Sequence, residues 1–119
     1  VSARLTDEDR RLRALSEQEF RDQVTDVARL LGWDWMFVKP LRAAGGIWKT
    51  PTFGTLGKGW PDTVFIRERD GRIVFVEFKR ELGKLEPDQE RVLAFLRRAG
   101  FEVYVWRPSD FDAAVEVLR

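Results

Sequence analysis

The sequence predicts an α/β domain with a small mixed β-sheet flanked by helices, in the order α-β-β-β-α-β-α. Three observations carry this. Two runs rich in β-branched and aromatic residues, Thr63-Val64-Phe65-Ile66-Arg67 and Ile73-Val74-Phe75-Val76, flank Asp70-Gly71, a pair suited to a two-residue type I′ turn. Two stretches with apolar residues at helical spacing, each with start and stop signals, stand on either side of that hairpin. A last apolar run, Phe101 to Trp106, follows the second helix, so it should run parallel to the strand before the crossover.

Residues Val1 to Leu15 form a charged lead-in, where Thr6 before Asp7, Glu8 and Asp9 can start a short helix. A firmer helix runs from Ser16 to Gly32. Ser16 and Glu19 have capping-box spacing, and Phe20, Val24, Val27, Ala28 and Leu31 make the apolar stripe. Two acids lie in its first turn. At ~100° per residue, Glu17 falls roughly 40° from the centre of the stripe and Glu19 roughly 120° away, so Glu17 points inward while Glu19 caps or is solvated. For Glu17 the plain alternative is a glutamate favoured by the helix dipole.

Trp33 to Val38 reads as a strand bounded by Gly32 and Pro40. Lys39 to Pro61 then sustains no period of 2 or 3.6, and a loop this long inside a compact domain is usually functional. It carries Lys39, Arg42, Lys49 and Lys58 with no acidic residue, interleaved with Trp48, Phe53 and Trp60. With Lys84 farther on, these residues form a candidate nucleic-acid-binding surface. A solvated Ω-loop with packed aromatics competes with that reading. Trp33, Trp35 and Trp106 lie in or beside strands, where core packing is the default.

The hairpin delivers charge to one end of the sheet. With a two-residue turn, Arg69 faces Arg72, Val64 faces Glu77 and Asp62 faces Lys79, so Asp62, Glu77 and Lys79 converge. Both faces of the hairpin are apolar, which predicts cover on both sides. Carboxylates about 5 Å apart at an effective dielectric of ~20 repel by about 3 kcal/mol, enough to favour a cation between them. A structural ion-pair cluster is the alternative.

The second helix has Pro87 near its start and Gly100 past its end, with Val92, Leu93, Leu96 and Ala99 as its buried stripe. Gln89, one turn before Val92 and Leu93, should turn its amide toward the end of the sheet that carries Lys79; a capping glutamine is the alternative. After the last strand, Pro108-Ser109-Asp110 caps a terminal helix that packs Phe111, Ala114, Val115 and Leu118.

Composition bounds the chemistry. The 119 residues are read as one domain, 44% hydrophobic, with a net charge of +1. Cysteine and histidine are absent, which excludes Cys/His zinc sites, Ser–His or Cys nucleophiles and histidine-metal nucleases. Carboxylate chemistry remains. No apolar run is long enough to span a membrane and none resembles a signal, so a soluble cytoplasmic protein without a membrane role is expected.

Pro61-Asp62 followed by Glu77-Phe78-Lys79 resembles the PD-(D/E)XK nuclease signature, and the element order resembles that superfamily's restriction-endonuclease-like core. Five blocks are similar to stand-alone bacterial and phage members of the virus-type replication-repair nuclease family, VRR-NUC. They are Ser16-Glu17-Gln18-Glu19-Phe20, Gly59-Trp60-Pro61-Asp62, Glu77-Phe78-Lys79, Gly83-Lys84-Leu85-Glu86-Pro87-Asp88-Gln89 and Val103-Tyr104-Val105-Trp106-Arg107-Pro108. The resemblance implies a Mg2+- or Mn2+-dependent DNA endonuclease. Asp62, Glu77 and the main-chain carbonyl of Phe78 would bind metal, with Glu17 binding directly or through water. Lys79 would orient water and neutralise charge, and Gln89 would support the site. It further implies hydrolysis to 5′-phosphate and 3′-hydroxyl ends, branched DNA resembling a Holliday junction as substrate, a homodimer in recombination or repair, and no small-molecule cofactor. Two other classes stay open: a catalytically silent nucleic-acid-binding module and a protein-interaction domain.

Overall fold

The computed structural model describes residues 4–38, 41–42, 44–46, 48–49 and 54–119. Within the lead-in, helix α1 (Asp7–Ala14) starts where Thr6 Oγ1 accepts the Asp9 N–H and the Asp9 carboxylate accepts the Thr6 N–H, both at 3.0 Å. Helix α2 (Glu17–Leu30) opens on the expected box: Ser16 Oγ accepts the Glu19 N–H at 3.0 Å and Glu19 accepts the Ser16 N–H at 3.1 Å. Gly32 then takes a left-handed φ of +86° that lets the chain turn into strand β1 (Asp34–Phe37).

Inside the basic loop lie two two-residue strands, β2 (Leu41–Arg42) and β3 (Trp48–Lys49), paired with each other, where the sequence shows no period. Strands β4 (Thr63–Arg67) and β5 (Arg72–Phe78) form the hairpin. Helix α3 (Pro87–Arg98), strand β6 (Glu102–Trp106) and helix α4 (Phe111–Leu118) complete the chain. The main sheet has the order β1-β4-β5-β6, antiparallel except for the parallel β5–β6 pair that the helical crossover requires.

One face of the sheet buries Phe65, Val74, Val76 and Phe78 in a cluster with Phe20, Val24 and Ala28 of α2 and Ala114 and Leu118 of α4. Trp33 and Trp106 join it, and Trp35 packs against it half-buried. The opposite face carries α3, whose Val92, Leu93 and Leu96 cluster with Val103 against Phe75, Leu85 and Val105.

Three expectations are corrected. The hairpin does not turn on two residues: β4 ends at Arg67, Glu68–Asp70 forms a 3-10 turn, and Gly71 takes the left-handed position. Arg67 therefore faces Arg72 and Thr63 faces Val76, a register two residues from the expected one. A shift of two keeps every side chain on its face, because the strand period is two. Cover on both faces is also incomplete, since Ile66 and Ile73 on the α3 side remain 40% and 44% exposed, beyond the reach of a twelve-residue helix. Ala99, placed in the α3 stripe, is the exposed C-cap of that helix.

Candidate active site

Asp62 enters β4 and Lys79 leaves β5, and each is fixed by main-chain bonds that extend the sheet. The Asp62 carbonyl accepts the Val38 N–H at 2.8 Å, and the Lys79 N–H donates to the Trp106 carbonyl at 3.0 Å. The observed register places Asp62 one step beyond the Thr63–Val76 pair, across from Glu77 rather than Lys79. The carboxylate of Asp62 is held at both oxygens: Oδ1 accepts the Thr63 hydroxyl at 2.7 Å and Oδ2 accepts the Phe78 N–H at 3.2 Å.

Glu77 is only 4% exposed. Burial pushes its carboxyl up to about 9; repulsion from Asp62, with a proton favoured between the two groups, adds to the rise, Lys79 opposes it, and Glu17 adds a smaller repulsion. Glu17, half-buried in the first turn of α2, is thus felt at the sheet end, as its helical angle predicts. Glu19 instead makes the cap.

The ion pairs among the described residues lie elsewhere, as in Arg67–Asp70 at 2.8 Å and Arg72–Glu102 at 2.7 Å, and none joins Lys79 to Asp62 or Glu77. This disfavours the ion-pair cluster as an account of the site. Gln89 follows the capping alternative: its Oε1 accepts the Glu86 N–H at 2.9 Å, which commits the amide oxygen to the start of α3. Lys58 and Lys84 are exposed, and Trp60 is 41% exposed with its ring edge-on to Phe75 at 5.7 Å. Lys39 and the side chains of Arg42, Trp48 and Lys49 lie outside the described residues.

Two supporting residues escape a reading of the sequence by residue type. Thr63 orients Asp62, and its only signal is adjacency. Gly59 brings the loop main chain against the first turn of α3, where a Cβ would stand 2.2 Å from the Asp88 carbonyl oxygen. That approach links α3 to the segment leading into Asp62.

The donor set fits a hard divalent cation. Asp62 and Glu77 are adjacent carboxylates that make no ion pair with any described residue, and oxygen ligands suit Mg2+ or Mn2+. Among the described residues no third Asp, Glu, His or Cys completes a ligating cluster, a sparse set in keeping with a cation that retains several waters.

A mixed sheet with helices on both faces, carrying paired carboxylates and a lysine where β4 begins and β5 ends, defines a restriction-endonuclease-like α/β protein. The VRR-NUC domain family model matches residues 3–110. A solved structure described as a VRR_NUC domain aligns with a TM-score of 0.60 at 27% identity, over 87% of this chain and 97% of that one. The chain belongs to the VRR-NUC domain family, a family of nucleases. No curated protein matches it. No helix among the described residues is long and apolar enough to cross a membrane.

Proposed function

We propose that this protein is a metal-dependent DNA endonuclease, selective for branched DNA in the manner of a Holliday-junction resolvase and acting as a homodimer. The observation that carries the reading is Glu77, nearly inaccessible beside Asp62, with no ion pair to either among the described residues. Such a pair is costly as it stands and is relieved by a divalent ion.

Asp62, Glu77 and the Phe78 carbonyl would hold Mg2+ or Mn2+, with Glu17 bound directly or through water; the ion would supply Lewis-acid activation and charge neutralisation. Thr63 and the Phe78 N–H hold the Asp62 carboxylate in one orientation, so its remaining lone pairs are pre-aimed. Lys79, half-buried beside Glu77, orients the attacking water and offsets charge developing on the phosphate. With Glu77 holding its proton, two carboxylates less one ammonium leave the bare site at minus one, so it still repels a phosphodiester. Lys58, Lys84 and Trp60 would serve as contacts to backbone and base. A homodimer would present two such sites to symmetric strands.

The test is cleavage of a synthetic four-way junction beside linear duplex, flap and single-stranded DNA, in Mg2+, Mn2+ and chelator, with Asp62→Ala as control. Paired nicks at the branch that need both metal and Asp62 are expected. Cutting only of other substrates removes junction selectivity, and no cutting in either metal removes the enzyme.

A further inference from the structure

Arg21 is 8% exposed on α2, and its Nε–H is buried without a hydrogen-bond partner among the described residues. Among the described residues no carboxylate pairs with its guanidinium, although other arginines of the fold, such as Arg67 and Arg72, are paired. A buried cation without a counter-ion is unusual unless something charged arrives from outside.

Its location specifies what that is. Arg21 lies one helical turn after Glu17, on the same side of α2. Its guanidinium sits 4.2 Å from the centre of the Phe37 ring. Phe37 is the cross-strand partner of Thr63, whose hydroxyl holds Asp62, and the next residue, Val38, donates its N–H to the Asp62 carbonyl. Arg21 therefore stands at the same end of the sheet as the acids. A guanidinium stacked on an aromatic face keeps its N–H groups in the plane, at its edge, where they match two oxygens of a phosphate. Phe37 is itself partly exposed, so the ring on which Arg21 lies reaches the surface.

We infer that Arg21 is a phosphate-binding residue that takes a DNA phosphate neighbouring the one attacked at the Asp62–Glu77 pair. The inference rests on the nuclease reading and extends it. Glu17 and Arg21 then divide the labour along one helix face, the first serving the reacting centre and the second holding the strand beside it.

The test compares Arg21→Met, which keeps the stem and loses the charge, with Arg21→Lys, which keeps the charge and loses the fork. Duplex and junction DNA binding is measured in Ca2+ across a salt series, cleavage in Mg2+, and folding by thermal melting. Expected are a folded Arg21→Met with about 10- to 100-fold weaker binding, a rise in KM larger than the fall in kcat, and a salt slope reduced by about one contact. Arg21→Lys, the fallback should Arg21→Met not fold, should keep the salt slope while binding more weakly than wild type. A folded Arg21→Met with unchanged KM and salt slope overturns the assignment while wild-type cleavage stands. The same holds if it loses only kcat, as Glu17→Ala would. Wild type that neither binds nor cuts DNA overturns the nuclease reading, and the role of Arg21 with it.

Discussion

The Asp62 carboxylate accepts the main-chain N–H of Phe78 at 3.2 Å, tying the entry of β4 to the exit of β5 just beyond their last paired residues. Asp62 thus has two tasks, closing the sheet and carrying charge beside Glu77. Asp62→Asn separates them, since the amide keeps one acceptor for these donors and removes the charge. Cleavage should fall by about 100-fold or more, a loss of several kcal/mol of transition-state stabilisation. The melting temperature at pH 8 should fall only by what one lost hydrogen bond costs, about 1 kcal/mol, because Glu77 largely holds its proton there and little repulsion is relieved. Nuclease assays and thermal melts of the same preparation decide both.

Stability should fall as pH rises. The Glu77 carboxyl is pushed from an ordinary 4.5 to about 9 in the folded chain. Between those values the unfolded chain has released this proton and the folded chain retains it, so unfolding is favoured progressively with pH. The contribution is fully present below pH 4.5 and lost by about pH 9. In chelator, melting temperatures measured across that window should decline, and Glu77→Gln should flatten the decline. A wild-type profile as flat as that of the variant would show that Glu77 ionises normally.

Divalent metal should reverse that trend. Binding to Asp62 and Glu77 competes with the Glu77 proton, so Mg2+ titrated at pH 7 should release protons and raise the melting temperature. At about 100 times its dissociation constant the ion adds roughly 2.7 kcal/mol. Calorimetry in buffers of different ionisation enthalpy reads the proton count, and Asp62→Asn should abolish both effects.

Gly59 should tolerate no side chain. A Cβ there meets the Asp88 carbonyl oxygen and carbon and Val92 Cγ2 at 2.2 to 2.7 Å, so Gly59→Ala must push α3 from the loop. A loss of about 1–3 kcal/mol is expected from urea denaturation, with reduced cleavage even where the protein stays folded.

Arg67 is a structural counterpart to the site. It is 3% exposed and donates to the carbonyls of Leu31, Leu118 and Arg119 at 3.0 to 3.1 Å, joining the C-terminal ends of α2 and α4 to the sheet. Arg67→Met should cost about 3 kcal/mol, read by urea denaturation, with DNA cleavage kept below the melting temperature.

Arg67 also explains why the hairpin could not be read locally. Asp70-Gly71 is a sound two-residue turn by propensity. The Arg67 guanidinium, however, takes both oxygens of Asp70, at 3.0 and 2.8 Å, while anchored to two helix ends distant in sequence. That clamp stops β4 at Arg67 and spends Glu68–Asp70 on a 3-10 turn. Helix α2 was legible because its signals are local: a Ser16–Glu19 box, a 3.6-residue stripe and Gly32. Helix α3 gave its Pro87 start and the parallel course of β6 for the same reason. Gln89 was legible only as a choice between two roles, and the turn geometry at Glu86 selected the cap.

What the sequence determined by itself was the inventory: no cysteine or histidine, acids at 17, 62 and 77, a lysine at 79, and the order of elements that carries them to one end of a sheet. Those features follow from residue type and short-range periodicity. The tertiary structure alone decided that Asp62 lies across from Glu77, that Glu77 is buried, and that Arg21 has no counter-ion among the described residues. Register, burial and charge pairing depend on which distant segments meet, and no local window of sequence contains both partners.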